Sequence, residues 1–356
     1  MNTGKPAPFA ATKAALLPDV ARLAGVSTAT VDRVLNRRPG VRPATVERVL
    51  KAAAELKYLP ENDLYAALAP QPMRLAFLLP AGTNRFIRMM GDTVGYLHEH
   101  WAPYNVRCHV DYIESFNPEE LARSVLRAGE RADGVAFMAL EHPAVREAVN
   151  SLAERKVPTV TLISDISNTL RTAYVGLDNR AAGRTAAYLI GRFIGPRANH
   201  TTAKVAMIAG SLSYRAHEER EAGFLQLFQE QFPGIEVVGL REGHDDARKN
   251  YEQMKVLLEQ HPDLAGIYNI GGASDGVGRA LEEAGLEHKV VFVGHGLSPD
   301  TRALLIRGSM DAVITQSPQT AMTSCVRIFT NVRDGLEPLG GVEVARSQVI
   351  FRENLP

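Results

Sequence analysis

Cysteines, long apolar runs and a leader sequence are scarce or missing in this chain of 356 residues. Its two cysteines, Cys108 and Cys325, lie far apart and indicate neither a disulfide framework nor a zinc site. No apolar run reaches the length of a membrane-spanning helix. The first 15 residues lack the apolar core of a signal peptide, and we expect a flexible tail there. These absences favour a protein of the reducing cytoplasm without a metal centre.

A dinucleotide-binding signature is also missing. The glycine-rich stretch Gly271–Gly276 lacks the G-x-G-x-x-G spacing, and it does not open the first strand–helix unit. We therefore predict that the chain is not an enzyme and binds no cofactor. An α/β enzyme is kept as a rival class, because such enzymes share the strand–helix alternation described below.

The formal net charge of the whole chain is zero, but two parts of the chain carry opposite net charges. Residues 1–60 hold ten Lys and Arg against four Asp and Glu, a net charge of +6. The remaining residues hold 30 basic and 36 acidic side chains, a net charge of −6. A basic head on an acidic body is typical of a polyanion-binding module joined to a non-binding domain. A merely solvated basic helix surface is the alternative reading of the same charges.

Residues 17–36 read LPDVARLAGVSTATVDRVLN and predict two short amphipathic helices around a tight turn at Gly25. Ser27 stands where an N-cap belongs, and apolar residues recur in the second helix, as at Val31 and Val34. A helix, a glycine turn and a capped helix with a polar outer face are typical of the helix-turn-helix. Since that motif places a recognition helix in the major groove, it indicates a DNA-binding function.

A third helix is predicted to begin at Pro43 and to stop at the Tyr58-Leu59-Pro60 stretch. Residues 61–69, ENDLYAALA, follow it and are too short to form a stable helix on their own. The prolines Pro70 and Pro72 mark the far end of this segment as a domain boundary.

Beyond residue 73 the pattern changes to alternating strands and helices, which predicts parallel sheets built from right-handed βαβ units. Nine strands over this length indicate two sheets, hence two α/β lobes with a ligand cleft at the carboxyl ends of the strands. The predicted strands cover residues 74–79, 106–112, 134–138, 159–163, 204–208, 236–240, 266–268, 290–293 and 312–315. The predicted helices include residues 118–129, 144–155, 181–194, 216–231, 247–259 and 276–284.

Several motifs resemble those of one family. The head carries DVARLAGVSTATVDRVLN and then GVRPATVERVLKAAAELKYLP. The body carries the N-x-F of residues 84–86, GLDNRAAGRTAAYLI at 176–190, the R-x-x-G-F of residues 220–224 and AVITQSP at 312–318. Over residues 16–356 the chain therefore resembles the lactose-repressor (LacI/GalR) family of bacterial transcription regulators.

The resemblance implies an all-α, three-helix head joined through a hinge to a two-lobe α/β domain of the periplasmic-binding-protein type (type I, ribose-binding type). The implied boundaries are 1–15 for the tail, 16–60 for the helix-turn-helix domain, 61–72 for the hinge and 73–356 for the effector-binding domain. Within the last, the implied lobes are about 73–172 with 317–338, and about 173–316 with 339–356.

Positions that the resemblance assigns to DNA are Thr28, Ala29, Asp32, Arg33, Asn36, Arg37, Arg38, Arg42 and Leu68. Among them Arg33 is suited to donate hydrogen bonds to guanine O6 and N7. The residues that follow it, Asn36, Arg37, Arg38 and Arg42, are expected to bind phosphates. Leu68, in the hinge, is the residue expected to enter the minor groove. A carboxylate such as that of Asp32 is unexpected on this face because it repels phosphates. Three roles stay open for Asp32: it accepts a hydrogen bond from a cytosine N4, it holds Arg33 in place, or it points away from the DNA.

Polar and aromatic side chains after the predicted strands are candidates for the effector cleft. These candidates are Asn84, Phe86, Ser164, Asp165, Arg220, Asp275, His295 and Gln316. Together they are suited to a polyhydroxylated molecule, with an aromatic ring that stacks on a sugar. Where the family has an aspartate this chain has Gly296, so a sugar, sugar acid, polyol or modified sugar all stay open as the effector.

The sequence thus predicts a cytoplasmic, homodimeric repressor whose two heads bind double-stranded operator DNA with two-fold symmetric half-sites. A small polar ligand is expected to control it by shifting the population of lobe arrangements. The rivals are a sugar carrier, which needs a signal peptide, and a cytoplasmic sugar-binding or α/β enzyme domain with a protein-binding helical head. No leucine-heptad tail is visible at the carboxyl end, which favours a dimer over a coiled-coil tetramer.

Overall fold

The computed structural model describes residues 15–36, 38, 40–58, 71–97, 99–195 and 203–356. The chain separates into two compact units, residues 1–71 and 72–356. Within the described ranges, no helix is both long and apolar enough to span a membrane. The predicted tail and hinge fall almost entirely on residues outside these ranges.

The first unit contains the three predicted helices, α1 (Leu17–Ala24), α2 (Thr28–Leu35) and α3 (Pro43–Glu55). Gly25 ends α1 with a φ of 65°, a left-handed conformation that favours glycine. The Ser27 side chain accepts from the backbone N–H of Thr30 at 3.1 Å and caps α2. Both the turn and the cap were predicted, and both are confirmed. One wholly buried valine from each helix forms the centre of a small core: Val20, Val31 and Val49.

The second unit contains two sheets, each of which forms the centre of a lobe. The first sheet is parallel, in the order β2-β1-β3-β4-β5, with β1 (Met73–Pro80), β2 (Val106–Ile113), β3 (Gly134–Phe137), β4 (Thr159–Leu162) and β5 (Ala173–Val175). The second runs β11-β10-β9-β8-β6-β7, with β6 (Ala203–Ala209), β7 (Ile235–Glu242), β8 (Leu264–Asn269), β9 (Val291–His295), β10 (Ala312–Thr315) and β11 (Gln348–Ile350). Only β11 in the described sheets is antiparallel to its neighbour, β10.

Helices cover these sheets, as parallel strands require. The first lobe contains α4 (Arg85–Tyr96), α5 (Pro118–Gly129), α6 (Pro143–Glu154) and α12 (Pro318–Arg333). The second lobe contains α7 (Asn179–Ile194), α8 (Arg215–Gln231), α9 (Ala247–Gln260), α10 (Ser274–Glu283) and α11 (Pro299–Arg307). Short 3₁₀ turns cover Ala102–Tyr104 and Arg352–Asn354. Strands β3, β4, β8 and β10 are buried over their whole length.

The predicted strands and helices are present with small shifts at their ends, but two short strands were missed. One of them, β5, corrects the predicted lobe boundary. We placed residue 173 at the start of the second lobe, whereas Ala173–Val175 pairs in parallel with β4 and extends the first sheet. Three residues are too few to show an alternating pattern, and the same holds for β11.

Candidate functional site

The outer face of α2 is the candidate DNA-reading surface of the head. Thr28, Ala29 and Arg33 are exposed, while Val31 and Val34 on the opposite face are buried in the head core. This division follows the helical period and leaves the predicted base-contacting side chains free of the core. Asn36, Arg38 and Arg42 are exposed as well, whereas Arg37 and Leu68 lie outside the described residues.

Asp32 organises its neighbours on this face. Its Oδ1 accepts from Asn36 Nδ2 at 2.7 Å, and its Oδ2 lies 3.2 Å from Arg38 Nη1. The carboxylate therefore links two predicted phosphate-contacting side chains. Of the three roles considered for Asp32, the one in which it holds Arg33 does not match these contacts.

The second candidate site lies between the two lobes, at the carboxyl ends of their strands. The first lobe contributes Asn84, Phe86, Ile87, Met138 and Ile163 to its lining. The second lobe contributes His217, Arg220, Asp245, Gly271, Gly272, His295, Gly296, Ile314, Thr315 and Gln316, and Leu177 lies between the lobes. The cavity they enclose is only about 40 Å³. Pockets for drug-sized molecules measure roughly 300–1,000 Å³, so a ring-sized ligand requires the lobes to separate.

Arg220 is the deepest charged group of the cleft. It is only 5% exposed, although it lies on the helix α8. Its Nε donates to Asn179 Oδ1 and its Nη1 to the Ile270 carbonyl, each at 2.8 Å. These two bonds fix the guanidinium plane, while Nη2 has no hydrogen-bond partner among the described residues.

Two buried histidines lie near this guanidinium. Burial lowers the pKa of His217 to about 4, and the Nδ1 of this ring lies 3.0 Å from the Ser211 carbonyl. Burial, then the nearby Arg220 charge, holds the pKa of His295 well below its usual range. His295 Nε2 lies 2.6 Å from the Tyr268 hydroxyl, whose pKa is raised by burial. Both rings are therefore neutral at pH 7.

Asp245 joins the lobes across the cleft. Its Oδ2 accepts from Asn84 Nδ2 at 2.9 Å, and its Oδ1 accepts from the Gly272 N–H at 2.7 Å. The Thr83 hydroxyl donates to the Asp245 carbonyl at 2.9 Å. We call these contacts of Asp245 with Thr83 and Asn84 the Asp245 latch. Asn84 also caps α4, because its Oδ1 accepts from the N–H groups of Phe86 and Ile87.

The side-chain oxygen of Gln316 is a hydrogen-bond acceptor that receives no donor from the described residues. The side chain is 5% exposed at the end of β10, and its Oε1 has no hydrogen-bond partner among the described residues. A buried amide oxygen that loses water without gaining a donor costs free energy. Since Gln316 lines the cleft, a ligand hydroxyl can provide the missing donor.

Comparison with known proteins assigns both units. Residues 16–61 match the family model of bacterial regulatory proteins, lacI family, and residues 109–337 match the model of the periplasmic binding protein domain. The chain belongs to the family of the periplasmic binding protein domain, and its head matches the lacI family. It is a DNA-binding transcription regulator with a periplasmic-binding-protein-like domain.

Relatives of this chain include repressors from several bacteria. The ribose operon repressor of Halalkalibacterium halodurans is 26% identical over 251 residues, which span 70% of each chain. The repressor PurR of Vibrio vulnificus is 28% identical over 218 residues, or 61% of each chain. Alignments with the PurR relatives thus span less than two thirds of those proteins.

Solved structures share the fold. GanP, a glucose-galactose binding protein from Geobacillus stearothermophilus, superimposes with a TM-score of 0.71 at 23% identity, over 81% of this chain and 100% of GanP. A putative LacI transcriptional regulator from Bacteroides fragilis gives a TM-score of 0.69 at 17% identity, over 80% of this chain and 98% of its own. Similarity at these identities establishes the two-lobe fold alone.

Five of the eight residues expected in the effector cleft do line it: Asn84, Phe86, Arg220, His295 and Gln316. The other three are placed elsewhere. Asp165 pairs with Arg171 and accepts from the Thr161 hydroxyl. Ser164 Oγ accepts from the Ala216 N–H at 3.3 Å. Asp275 lies in the first turn of α10 and is not part of the lining.

Three polar lining residues of the cleft, His217, Asp245 and Thr315, were missed. Thr315 is the last residue of β10, directly before the predicted Gln316. Asp245 follows the end of β7 by three residues, so the same search of strand ends could have found it. Sequence offered no comparable signal for His217, which lies within the first turn of α8.

The backbone conformation at Gly296 explains why this chain has a glycine where the family has an aspartate. Its φ is 76°, and a Cβ there would lie 3.0 Å from the Phe86 ring. An aspartate at this position would be strained and would crowd Phe86.

The stretch 272–276 also has the G-x-S-x-G spacing of a hydrolase nucleophile elbow. Ser274 is buried, and its hydroxyl accepts from Asn269 Nδ2 at 2.8 Å, so it serves as a structural residue at the start of α10. This arrangement lacks the exposed nucleophile that such an elbow presents.

Proposed function

We propose that the chain is a cytoplasmic, homodimeric repressor whose heads read a two-fold symmetric operator. A small polyhydroxylated ligand bound between the lobes, a sugar, sugar acid or polyol, controls this binding. The observation that carries the proposal is the pairing of an exposed recognition face on α2 with a buried polar cleft. In that cleft Arg220 and Gln316 retain hydrogen-bonding capacity that the described residues leave unused.

For DNA, the free face of α2 supports the assignment of base contacts to Thr28, Ala29 and Arg33. An arginine fork on guanine is worth roughly 1–3 kcal/mol of discrimination against another base. Asn36, Arg38 and Arg42 are proposed to bind phosphates, which adds affinity and salt dependence. In this arrangement Asp32 holds Asn36 and Arg38 ready for the backbone. Arg37 and Leu68 keep their proposed roles at phosphate and minor groove.

A polyhydroxylated effector is supported by the ligands that the names of similar proteins give and by the polar side chains of the cleft. One relative is a ribose operon repressor, and the shared fold is that of a glucose-galactose binding protein. Arg220, Gln316 and Asn84 are proposed to bind the ligand's oxygens, and Phe86 to pack on its ring. His295 is proposed to face the ligand as a neutral ring.

Coupling follows from the lobe contacts. Because the cavity is too small for a ring, the ligand must compete with the Asp245 latch for space between the lobes. A ligand that binds one lobe arrangement better shifts the population towards it, and this shift changes how the paired hinges meet the operator.

The test of DNA reading is selection of sites from a pool of randomised duplexes with the full-length protein. The proposal expects recovery of an inverted repeat, and it expects Arg33→Ala to relax base preference at one position in each half-site. Arg48→Ala is the matched control, since it removes an exposed charge from α3 without touching α2. Equal weakening on all sequences by both variants would make Arg33 a phosphate contact, and failure to enrich any duplex would refute the proposed function.

A further inference from the structure

The guanidinium of Arg220 is buried without a carboxylate partner. Its hydrogen bonds go to two neutral oxygens, on Asn179 and Ile270, and Nη2 has no hydrogen-bond partner within the described part of the chain. A buried charge is costly unless it is paired and hydrogen-bonded. The fold therefore retains a cation at the cleft to which no described carboxylate is hydrogen-bonded, although the charges of Asp245 and Glu219 act on it through space.

The two carboxylates whose charges act on Arg220, Asp245 and Glu219, are already engaged elsewhere, and so is Asp165. Asp245 is the sole carboxylate among the described lining residues, and its two oxygens accept from Asn84 and Gly272. Asp165 pairs with Arg171. Glu219 accepts from Arg215 Nε at 2.7 Å, one turn before it on α8. None of these groups forms a hydrogen bond with the Arg220 fork.

The buried histidines and tyrosines around the fork add no negative charge to the cleft. His217 and His295 are neutral, and Arg220 itself contributes to lowering the pKa of both. Tyr174 and Tyr268 are neutral too, because burial raises the pKa of each hydroxyl. An incoming carboxylate would thus meet one cation among uncharged rings, while the single carboxylate of the described lining bonds Asn84 and Gly272.

We propose that the effector is a polyhydroxylated carboxylic acid whose carboxylate binds the fork of Arg220. This inference rests on the proposed function of the cleft, and it selects the sugar acid from the three ligand classes named there. The described residues leave Nη2 and the second N–H of Nη1 available, and a carboxylate that accepts from them also pairs the buried charge, which a neutral hydroxyl does not. The Gln316 Oε1 accepts from a hydroxyl of the same ligand, in a cleft where Gly296 provides no carboxylate for that role.

The experiment is calorimetric titration of the full-length protein with acids and their neutral partners. The pairs are D-glucuronate with D-glucose, D-galacturonate with D-galactose, and D-gluconate with D-glucitol, and D-glucose 6-phosphate is an additional anion. We expect at least one acid to bind about tenfold or more tightly than its partner, the gain typical of a charge-assisted hydrogen bond.

Variants at Arg220 then identify the group responsible. Arg220→Gln is expected to reduce the acid-to-neutral affinity ratio to about one, because the charge is lost. Arg220→Lys, which keeps the charge but not the fork, is expected to leave an intermediate ratio. Arg215→Gln, on the same helix but outside the lining, is the matched control and should leave the ratio unchanged. A purely structural role would change overall affinity without changing the ratio.

Each outcome decides between the two proposals. Equal or tighter binding of the neutral partners, or tighter binding of the phosphate than of every carboxylate, would overturn the carboxylate inference and leave a sugar-type effector standing. Absence of binding by the whole panel would overturn the polyhydroxylated effector itself. If Arg220→Gln does not fold, the comparison of acids with neutral partners in the unchanged protein still decides the question.

Discussion

The two lobes present different chemistry to the same cleft. The first lobe presents apolar side chains such as Phe86 and Met138, with Asn84 as its polar contribution. The second presents Arg220 and two histidines, all buried, together with Asp245. Buried polar groups must be held by hydrogen bonds, whereas an apolar surface needs only shape. We infer that the second lobe recognises the ligand and the first closes over it.

The lobes also hold their cleft residues differently. Arg220 lies on α8, whose backbone approaches α7 so closely that a Cβ on Gly183 would lie 1.9 Å from the Arg220 carbonyl oxygen. In the first lobe, Asn84 and Phe86 are held by the capped start of α4 and by the Asp245 latch. Close helix packing is rigid, while a capped helix start that bonds across a cleft can release that bond. The difference predicts unequal responses to substitution.

The largest effect of a substitution is expected in the second lobe, where α7 and α8 pack closely. Gly183→Ala should destabilise the protein by about 3 kcal/mol, because the new methyl group meets backbone rather than a movable side chain. Ligand affinity should fall as well, since α7 and α8 must separate and move Arg220. Urea unfolding and calorimetry measure the two effects.

Gly95→Ala in α4 is the control for Gly183→Ala, because nothing lies within 4 Å of a Cβ there. It should stabilise the protein by about 0.5–1 kcal/mol through the helix preference of alanine. Similar losses in both variants would contradict the idea that packing against α8 is what makes Gly183 necessary.

The next effect is a loss of stability in acid that belongs to the second lobe. His217 is neutral in the folded protein, with a pKa lowered to about 4, and it binds a proton on unfolding below its ordinary value of 6.5. Its contribution to stability is therefore complete above that value and is lost as the pH falls towards about 4. By about pH 5 the loss should reach roughly 2 kcal/mol.

Urea unfolding at a series of pH values measures this loss. His217→Gln should reduce the dependence and leave the part that the buried His295 contributes, whereas His109→Gln should not reduce it, since the first-lobe His109 is exposed. A flat profile for the unchanged protein would show that His217 stays protonatable in the fold.

The sequence predicted most of the fold, because long helices and buried strands show their periods locally. Helix α5 was predicted with the observed ends, and Ser27 and Gly25 were predicted from local rules of capping and left-handed turns. The strand β5 was missed, since its three residues are defined by pairing with β4 rather than by their own pattern.

The cleft was less predictable, because its contacts join residues that are distant in sequence. Asn84 and Asp245 are 161 positions apart, and no local pattern reveals that they bond. Ser164 and Asp165 follow a strand as cleft residues do, yet the first accepts from the start of α8 and the second pairs with Arg171. Position after a strand thus selects candidates, and only the packing around them determines which face a ligand.

A smaller effect is expected from breaking the Asp245 latch. Asn84→Ala removes both a helix cap and the hydrogen bond to Asp245, so stability should fall by about 1 kcal/mol. Asn117→Ala is the matched control, because Asn117 caps α5 in the same lobe and has no partner in the second lobe among the described residues. Both variants should lose similar stability, but only Asn84→Ala should increase the radius of gyration in X-ray scattering. An equal increase in both would mean that the cap alone sets the lobe spacing.

The smallest effect concerns the ion pair that joins the lobes at their surface. Arg85 Nε lies 3.2 Å from Asp300 Oδ2, and the arginine side chain is 61% exposed. Burial, and then the charge of Asp275, raise the pKa of Asp300. The charge of Arg85 lowers this pKa, but by less. Exposed pairs contribute at most about 1 kcal/mol and are screened by salt, so Arg85→Ala should change the radius of gyration less than Asn84→Ala does. Its effect should disappear at about 1 M salt, whereas that of Asn84→Ala should persist, because the partly buried hydrogen bond to Asp245 is screened less than an exposed ion pair. Persistence of the Arg85→Ala effect in salt would show that this residue closes the lobes by packing rather than by charge.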